Sequence, residues 1–323
     1  MIVLGIESTA HTFGVSILKN KEILSNERDL YVTLKGGMIP SKVADHHVDV
    51  CDKVLNEALI KSNIKIQEVD LIAFSSSPGI GHSLRIGAVF ARTLSVKLKK
   101  PIIGVNHCIA HLEIGRKFSN FKDPILLYAS GANTQVIGFE SGKYRVFGET
   151  LDNGVGNFLD GFAREMGLGF PGGPKIEQLA KKGKYLELPY SVKGMDVSFG
   201  GLLTKLKNLK EKEKIEDLCY SLQETVFAML VEVTERALAH TDKKEVILGG
   251  GVGCNKRLQE MLKIMCEDRG AKFYAPKNEH LVDNAAMIAV LGELMYEKDK
   301  EYSIENTKID PYLRTDEVEI NYR

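Results

Sequence analysis

The chain has 323 residues, 44% hydrophobic and 27% charged, a globular composition long enough to support two domains. Forty-three basic residues balance 43 acidic ones, so it lacks the basic surplus typical of a protein that binds nucleic acid unaided. Five cysteines without a CxxC pair argue against a disulfide framework, and no apolar run nears the roughly 20 residues of a membrane span.

The opening MIVLGIE has no basic flank and carries Glu7, so it predicts a first strand, not a signal peptide, and a cytoplasmic setting. Residues 4–17, LGIESTAHTFGVSI, predict a strand, a small polar loop and a second strand. Residues 42–61 place Val43, Val50, Val54 and Leu55 at helical spacing. DLIAFSSSPG (70–79) predicts a short strand and turn. Ser83 is then expected to cap a helix through residue 99, with Lys97 and Lys99 near its negative end. Pro101 stops that helix, and IIGV (102–105) reads as the next strand.

Residues 126–139, LLYASGANTQVIGF, repeat the first hairpin: Ser8 and Ser130, Ala10 and Ala132, Thr12 and Thr134 fall at the same offsets. Loops of small residues let backbone N–H groups close around an anion, and two such loops facing each other would hold a nucleotide-sized ligand. Two unrelated hairpins with common turn residues would share these letters too. KYRVFGET (143–150) predicts a strand, and helices near 156–167 and from Lys175 flank the turn FPGGP (170–174). Residues 184–200 read as loop, 215–240 as a long helix, EVILGGG (245–251) as a strand meeting a glycine turn, and 255–268 as helix. A final amphipathic helix follows Asp283, and the polar tail IDPYLRTDEVEINYR reads as a surface strap. The lysine-rich stretches 179–184 and 205–214 are interleaved with Glu or Gly, as solvated faces are. Strands alternating with helices indicate an α/β class.

His107-Cys-Ile-Ala-His111 puts two imidazoles on one helical face, close enough to share a metal, although two histidines on a helix surface show the same spacing. In HExxH proteases the residue after the first His is the general base. Here it is Cys108. Asp283 and Tyr128 are candidate further ligands, and nitrogen, carboxylate and phenolate together suit iron or zinc. GGGVGCN (249–255) lacks the third glycine of a dinucleotide fingerprint and is read as an adenosine-side contact, with Asn255 offering its amide. Asp160 and Glu177 are candidate ribose contacts, or ordinary exposed carboxylates.

LGIESTAHTFGVSI, SSSPGIGHSLRIG, NHCIAH, YASGANTQVI, GETLDNGVGNFLDGFARE, FPGGPKIEQLA, GGGVGCN and VDNAAMIA run in order through almost the whole chain. Together they closely resemble the universal threonylcarbamoyladenosine tRNA-modifying family, TsaD in bacteria and the catalytic subunit of the KEOPS complex in archaea and eukaryotes, once labelled an O-sialoglycoprotein endopeptidase. YASGANTQ and YLRTDEV resemble the archaeal/eukaryotic branch, since the bacterial branch has SGGHT at the second loop. The resemblance implies the two-lobed fold of actin, sugar kinases and heat-shock chaperones around a nucleotide cleft. The lobes are expected at 1–122, with a returning segment at about 298–323, and at 123–297. It further implies transfer of a threonylcarbamoyl group from threonylcarbamoyl-adenylate to the adenosine beside the anticodon of tRNAs. His107, His111, Tyr128 and Asp283 would ligate one iron or zinc ion. Tyr128, Ala129, Ser130, Gly131 and Ala132, with Asp160, Gly173, Glu177 and Asn255, would hold the adenylate, and Glu7 would lie near the reaction centre. The partners implied are tRNA, a small atypical kinase and a dimerising subunit, with no membrane. The alternatives are a metal-dependent hydrolase, which lacks its glutamate at 108, and a small-molecule kinase of the same fold, which leaves the His pair unexplained.

Overall fold

The computed structural model describes residues 1–33, 39–300 and 302–323. Three antiparallel strands open the chain: β1 (Ile2–Glu7), β2 (Thr12–Lys19) and β3 (Glu22–Leu30). After α1 (Pro40–Ser62) come β4 (Leu71–Ser77), α2 (Gly81–Leu98), β5 (Ile102–Asn106) and α3 (His107–Ser119). Strands β4 and β5 add to β1 in parallel, giving the sheet order β3-β2-β1-β4-β5. Each parallel step uses a helical crossover, as parallel strands require.

The same topology recurs downstream. β6 (Ile125–Ala129), β7 (Thr134–Glu140) and β8 (Lys143–Glu149) form a second meander. There follow α4 (Val155–Glu165), α5 (Gly172–Ala180), the two-residue strands β9 (Val192–Lys193) and β10 (Asp196–Val197), α6 (Gly200–Leu209) and α7 (Ile215–Thr241). Then come β11 (Glu245–Gly249), α8 (Lys256–Asp268), β12 (Lys272–Tyr274) and the short α9 (Asn278–Leu281). The second sheet runs β12-β11-β6-β7-β8, with β11 and β12 parallel to β6. The repeated hairpin read in the sequence is thus the start of a repeated sheet.

The chain divides into two units, Met1–Ile114 with Asp283–Arg323, and Gly115–Val282. The expected partition at 122/123 and 297/298 therefore shifts, because the last helix, α10 (Ala285–Lys298), belongs to the first unit. Residues 285–293 are all buried, so α10 is apolar on every side along its first two turns and not the amphipathic helix expected. It reaches the sheet through small residues. In β1 and β4 alternate side chains take opposite faces. Leu4, Ile6, Ile72 and Phe74 join Val54 and Leu55 of α1 and Ala88 and Ala91 of α2 in one core. On the other face lie Gly5 and Ala73. A Cβ on Gly5 would stand 2.4 Å from the Ala285 carbonyl oxygen, and one on Gly292 would stand 2.4 Å from the Ala73 Cβ. In the second unit Ile125, Leu127 and Ala129 share a core with Phe158 and Phe162 of α4 and Phe227 and Leu230 of α7.

Two local expectations change. Helix α2 begins at Gly81 with Ile80 as its cap residue, so Ser83 lies inside the helix with its hydroxyl buried. The hairpin loop displaces the start, since the Thr9 carbonyl accepts the Ile80 N–H at 2.7 Å. The tail is more than a surface strap. Thr307 and Thr315 are buried, Asp310 donates its N–H to the Ser76 carbonyl, and Arg92 Nε donates to Thr307 Oγ1 at 2.9 Å.

Because backbone stands where a Gly5 side chain would go, Gly5→Ala should cost about 1–3 kcal/mol or more of unfolding free energy. Gly201→Ala meets nothing within 4 Å and should be neutral or stabilising. Urea unfolding of both variants checks the docking of α10; equal midpoints would refute it.

Candidate functional site

Strand β5 ends at Asn106, whose Oδ1 accepts the Ile109 N–H at 3.1 Å and so starts α3 at His107. One helical turn separates His107 from His111, and their rings lie edge to face with centroids 4.9 Å apart. At the head of α10, Asn284 caps the helix by accepting the Met287 N–H, which places Asp283 immediately before it. Asp283 Oδ1 lies 3.3 Å from His107 Nε2 and 3.6 Å from His111 Nε2. One ligand atom from each of the three lies within 4.8 Å of the others. Burial works to raise the Asp283 carboxyl, but the two histidines outweigh it and hold the group well below the usual carboxylate range. Burial lowers the His111 imidazole, keeping it in the neutral form a metal needs. Two imidazole nitrogens and a carboxylate form a donor set that fits a metal ion.

Glu7 supplies the outer layer. Its carboxylate is fully buried, with Oε2 3.0 Å from His107 Nδ1 and Oε1 accepting from both the N–H and the hydroxyl of Thr9. That contact fixes the orientation of the His107 ring, with Nε2 turned toward Asp283. Thr9 is a residue that sequence reasoning missed; its position two after Glu7, in a loop of hydroxyls, was the available signal. Cys108 is buried, with its thiol pushed up by burial and hydrogen-bonded to Thr315. No general base stands at that position.

The two repeated loops differ. The first, residues 8–11, is closed by its own unit: Ser8 donates its N–H to Ser75 Oγ, Thr9 donates to Glu7, and the Ala10 carbonyl accepts from His47 Nε2. Burial, with His46 beside it, lowers the His47 imidazole to about 4, so it donates as a neutral ring. The first loop is therefore not the open anion cradle expected.

The second loop, residues 130–133, is open. Its carbonyls are spent inward: Ser130 and Gly131 accept the N–H groups of Gly156 and Asn157, at 2.9 Å each. Ser130 Oγ bridges to Asn133. The N–H groups of Gly131 and Ala132 meet no acceptor among the described residues, and both residues are exposed. Three glycines permit this position. A Cβ on Gly154, Gly156 or Gly250 would stand 2.4, 2.8 or 2.3 Å from the loop or from Ala129. Gly250 also has φ +89°, a left-handed geometry that favours glycine. Tyr128 and Ala129, which lead into the loop on β6, are buried.

The remaining expected contacts lie in this same unit and already have structural partners. Asp160 Oδ1 accepts the Gly172 N–H at 2.7 Å, which starts α5 at Gly172 and not near Lys175. Glu177 Oε1 accepts the Lys256 N–H at 2.9 Å. Asn255 caps α8 through its Oδ1 and donates Nδ2 to Gln223. Its amide is therefore committed to the fold. Gly173 has open space where a side chain would be.

A family model described as TsaD, tRNA N6-adenosine threonylcarbamoyltransferase, matches residues 21–290. The chain is 57% identical to the tRNA N6-adenosine threonylcarbamoyltransferase of Thermococcus kodakarensis over 99% of each chain. It is 55% identical, over its full length and 60% of the relative's, to a probable bifunctional tRNA threonylcarbamoyladenosine biosynthesis protein of Methanocaldococcus jannaschii. Among solved structures, T. kodakarensis HypF superposes with a TM-score of 0.66 at 16% identity, covering 92% of this chain and 47% of that one, which is a likeness of fold.

Glu7→Gln keeps the shape of the side chain but removes one acceptor and the negative charge facing His107. Metal affinity at the His107–His111–Asp283 cluster should fall about 10–100-fold. Competition with a chromophoric chelator measures it, and wild-type affinity in the variant would show that Glu7 does not orient the ligand.

Proposed function

Because this chain belongs to the TsaD family of tRNA N6-adenosine threonylcarbamoyltransferases, we propose that it joins a threonylcarbamoyl group to N6 of the adenosine beside the anticodon, using threonylcarbamoyl-adenylate as donor. It is an acyltransferase that modifies tRNA. The observation that carries the donor assignment is the exposed pair of N–H groups at Gly131 and Ala132, on a loop held from behind by three glycines. Such paired amides suit a phosphate oxygen.

In this reading Tyr128 to Ala132 line the phosphate side of the adenylate. Gly173 leaves room for the ribose, with the second oxygen of Asp160 and the carboxylate of Glu177 as hydroxyl acceptors. Asn255 contributes through the helix start that it caps. The acyl phosphate is already activated, so no nucleophilic side chain is needed. The N6 amine attacks the carbamoyl carbon and gives up one proton to solvent, the bond from that carbon to the phosphate oxygen breaks, and AMP departs with the bonding pair. What the chain must supply is orientation and support for the charge developing on oxygen. His107, His111 and Asp283 would hold an iron or zinc ion, and such an ion supplies Lewis-acid polarisation when bound.

The protein is further assigned as the catalytic subunit of a KEOPS-type assembly, with a small kinase and a dimerising subunit. A net charge of zero supports this, since phosphate contacts supply most of the general affinity for nucleic acid. So does the length of the Methanocaldococcus relative, of which this chain matches 60%. Among the described residues no helix is long and apolar enough to cross a membrane, and a cytoplasmic location is proposed with the rest.

Two substitutions separate the parts of this reading. A side chain at Gly131 meets only Asn157 Oδ1, at 3.5 Å, so Gly131→Val should fold normally yet weaken adenine-nucleotide binding at least tenfold by calorimetry. Unchanged affinity would remove the loop from the donor site. His111→Ala leaves too few ligands, so elemental analysis should find about one equivalent of iron or zinc in wild type and none in the variant. Metal-free wild-type protein with full transfer activity would sink the metal assignment.

A further inference from the structure

We propose that the segment following α4, together with the facing end of α6, is the ledge on which the anticodon loop of the tRNA substrate docks. The inference rests on the tRNA-modifying reading above and adds the surface that receives the RNA.

Helix α4 ends at Glu165, and the chain continues as Met166-Gly167-Leu168-Gly169-Phe170-Pro171, with Gly167 and Gly169 at φ +72° and +78°. Four cations border this stretch. Arg164 is exposed on the last turn of α4. Lys207 Nζ lies 2.9 Å from Glu165 Oε1, Lys210 Nζ donates to the Glu165 carbonyl at 2.7 Å, and Lys175 Nζ donates to the Leu168 carbonyl. Residues 164–171 contain a single carboxylate, Glu165. Lys207 first, and then Lys210 and Arg164, hold that group below the usual carboxylate range. The lysine-rich run at 205–214, read from sequence as a solvated face, thus concentrates two of its charges here.

Phe170 stands at the end of the same stretch with 45% of its surface exposed. It follows Leu168, whose carbonyl accepts from Lys175 Nζ, by two residues. An exposed ring and several cations on one stretch of chain are what single-stranded nucleic acid uses, with phosphates against the lysines and an unstacked base on the ring. An anticodon loop presents both. The ring also borders the donor side: Gly172, whose N–H Asp160 accepts, is two residues on, and the open position at Gly173 follows it. An RNA loop seated on Phe170 would reach the acyl group from this side.

The experiment uses the full-length chain assembled with its kinase and dimerising partners, a labelled anticodon stem-loop RNA and the full-length tRNA. Lys207→Ala with Lys210→Ala should raise the KM for tRNA about tenfold with kcat unchanged. Removing two phosphate contacts should also reduce the slope of log affinity against log salt by about 1–2. Phe170→Ala should weaken stem-loop binding by about tenfold, with Phe170→Tyr restoring it. Calorimetric titration with ATP should be unchanged in the lysine variant, showing an intact fold. Wild-type salt slope and KM in the lysine variant overturn the ledge. So does loss of a co-purifying protein with the RNA parameters unchanged, which would make this face a protein interface. A wild-type chain that transfers nothing to tRNA even when assembled with its kinase and dimerising partners overturns the functional reading itself, whereas an active wild-type assembly with indifferent variants overturns the ledge alone.

Discussion

A single buried carboxylate, Glu7, organises the first unit. A buried polar group needs partners for its oxygens, and here His107 and both donors of Thr9 provide them. The requirement propagates in two directions. Through His107 it sets which ring nitrogen faces Asp283, and so the donor set of the cluster. Through Thr9 it bends the hairpin loop inward, where the Thr9 carbonyl takes the Ile80 N–H and starts α2 earlier than its serine would have. Strand, loop, helix start and ligand orientation thus depend on one side chain.

The two sheets show how one architecture yields two kinds of loop. Both meanders connect their first two strands by four residues of similar letters. What differs is the surroundings. The first loop is met by Glu7, Ser75 and His47, all of which pair with its backbone. The second is met by glycines, which offer no side chain, and by the head of α4, which satisfies its carbonyls and leaves two N–H groups outward. Duplication supplied the geometry, and the neighbouring side chains decided which copy stayed open to a ligand.

Close approach at small residues is the other recurring device. Helix α10 lies on β1 and β4 at a distance that only Gly5, Gly292 and alanines permit. Bringing that helix to the first unit also carries Asp283 there, next to histidines far from it in sequence. The His107–His111–Asp283 cluster is therefore assembled by a packing choice.

Much was legible in the residues. The alternation of buried strands and helices, the repeated hairpin, the His107–His111 spacing and the glycine turn at 249–251 are local patterns, and local patterns follow from φ/ψ preference and periodicity alone. The family, too, was readable from eight ordered motifs. Sequence did not determine the unit to which α10 belongs, because an apolar helix carries no label for its partner sheet. Nor did it show that Asn255, Glu177 and Asp160 already hold helix starts, or that the first loop is closed. A hydroxyl or carboxylate reads the same whether it is satisfied by a backbone N–H or left for a ligand. Only tertiary structure decides between these, since hydrogen bonding is settled by which groups packing brings within about 3 Å of one another.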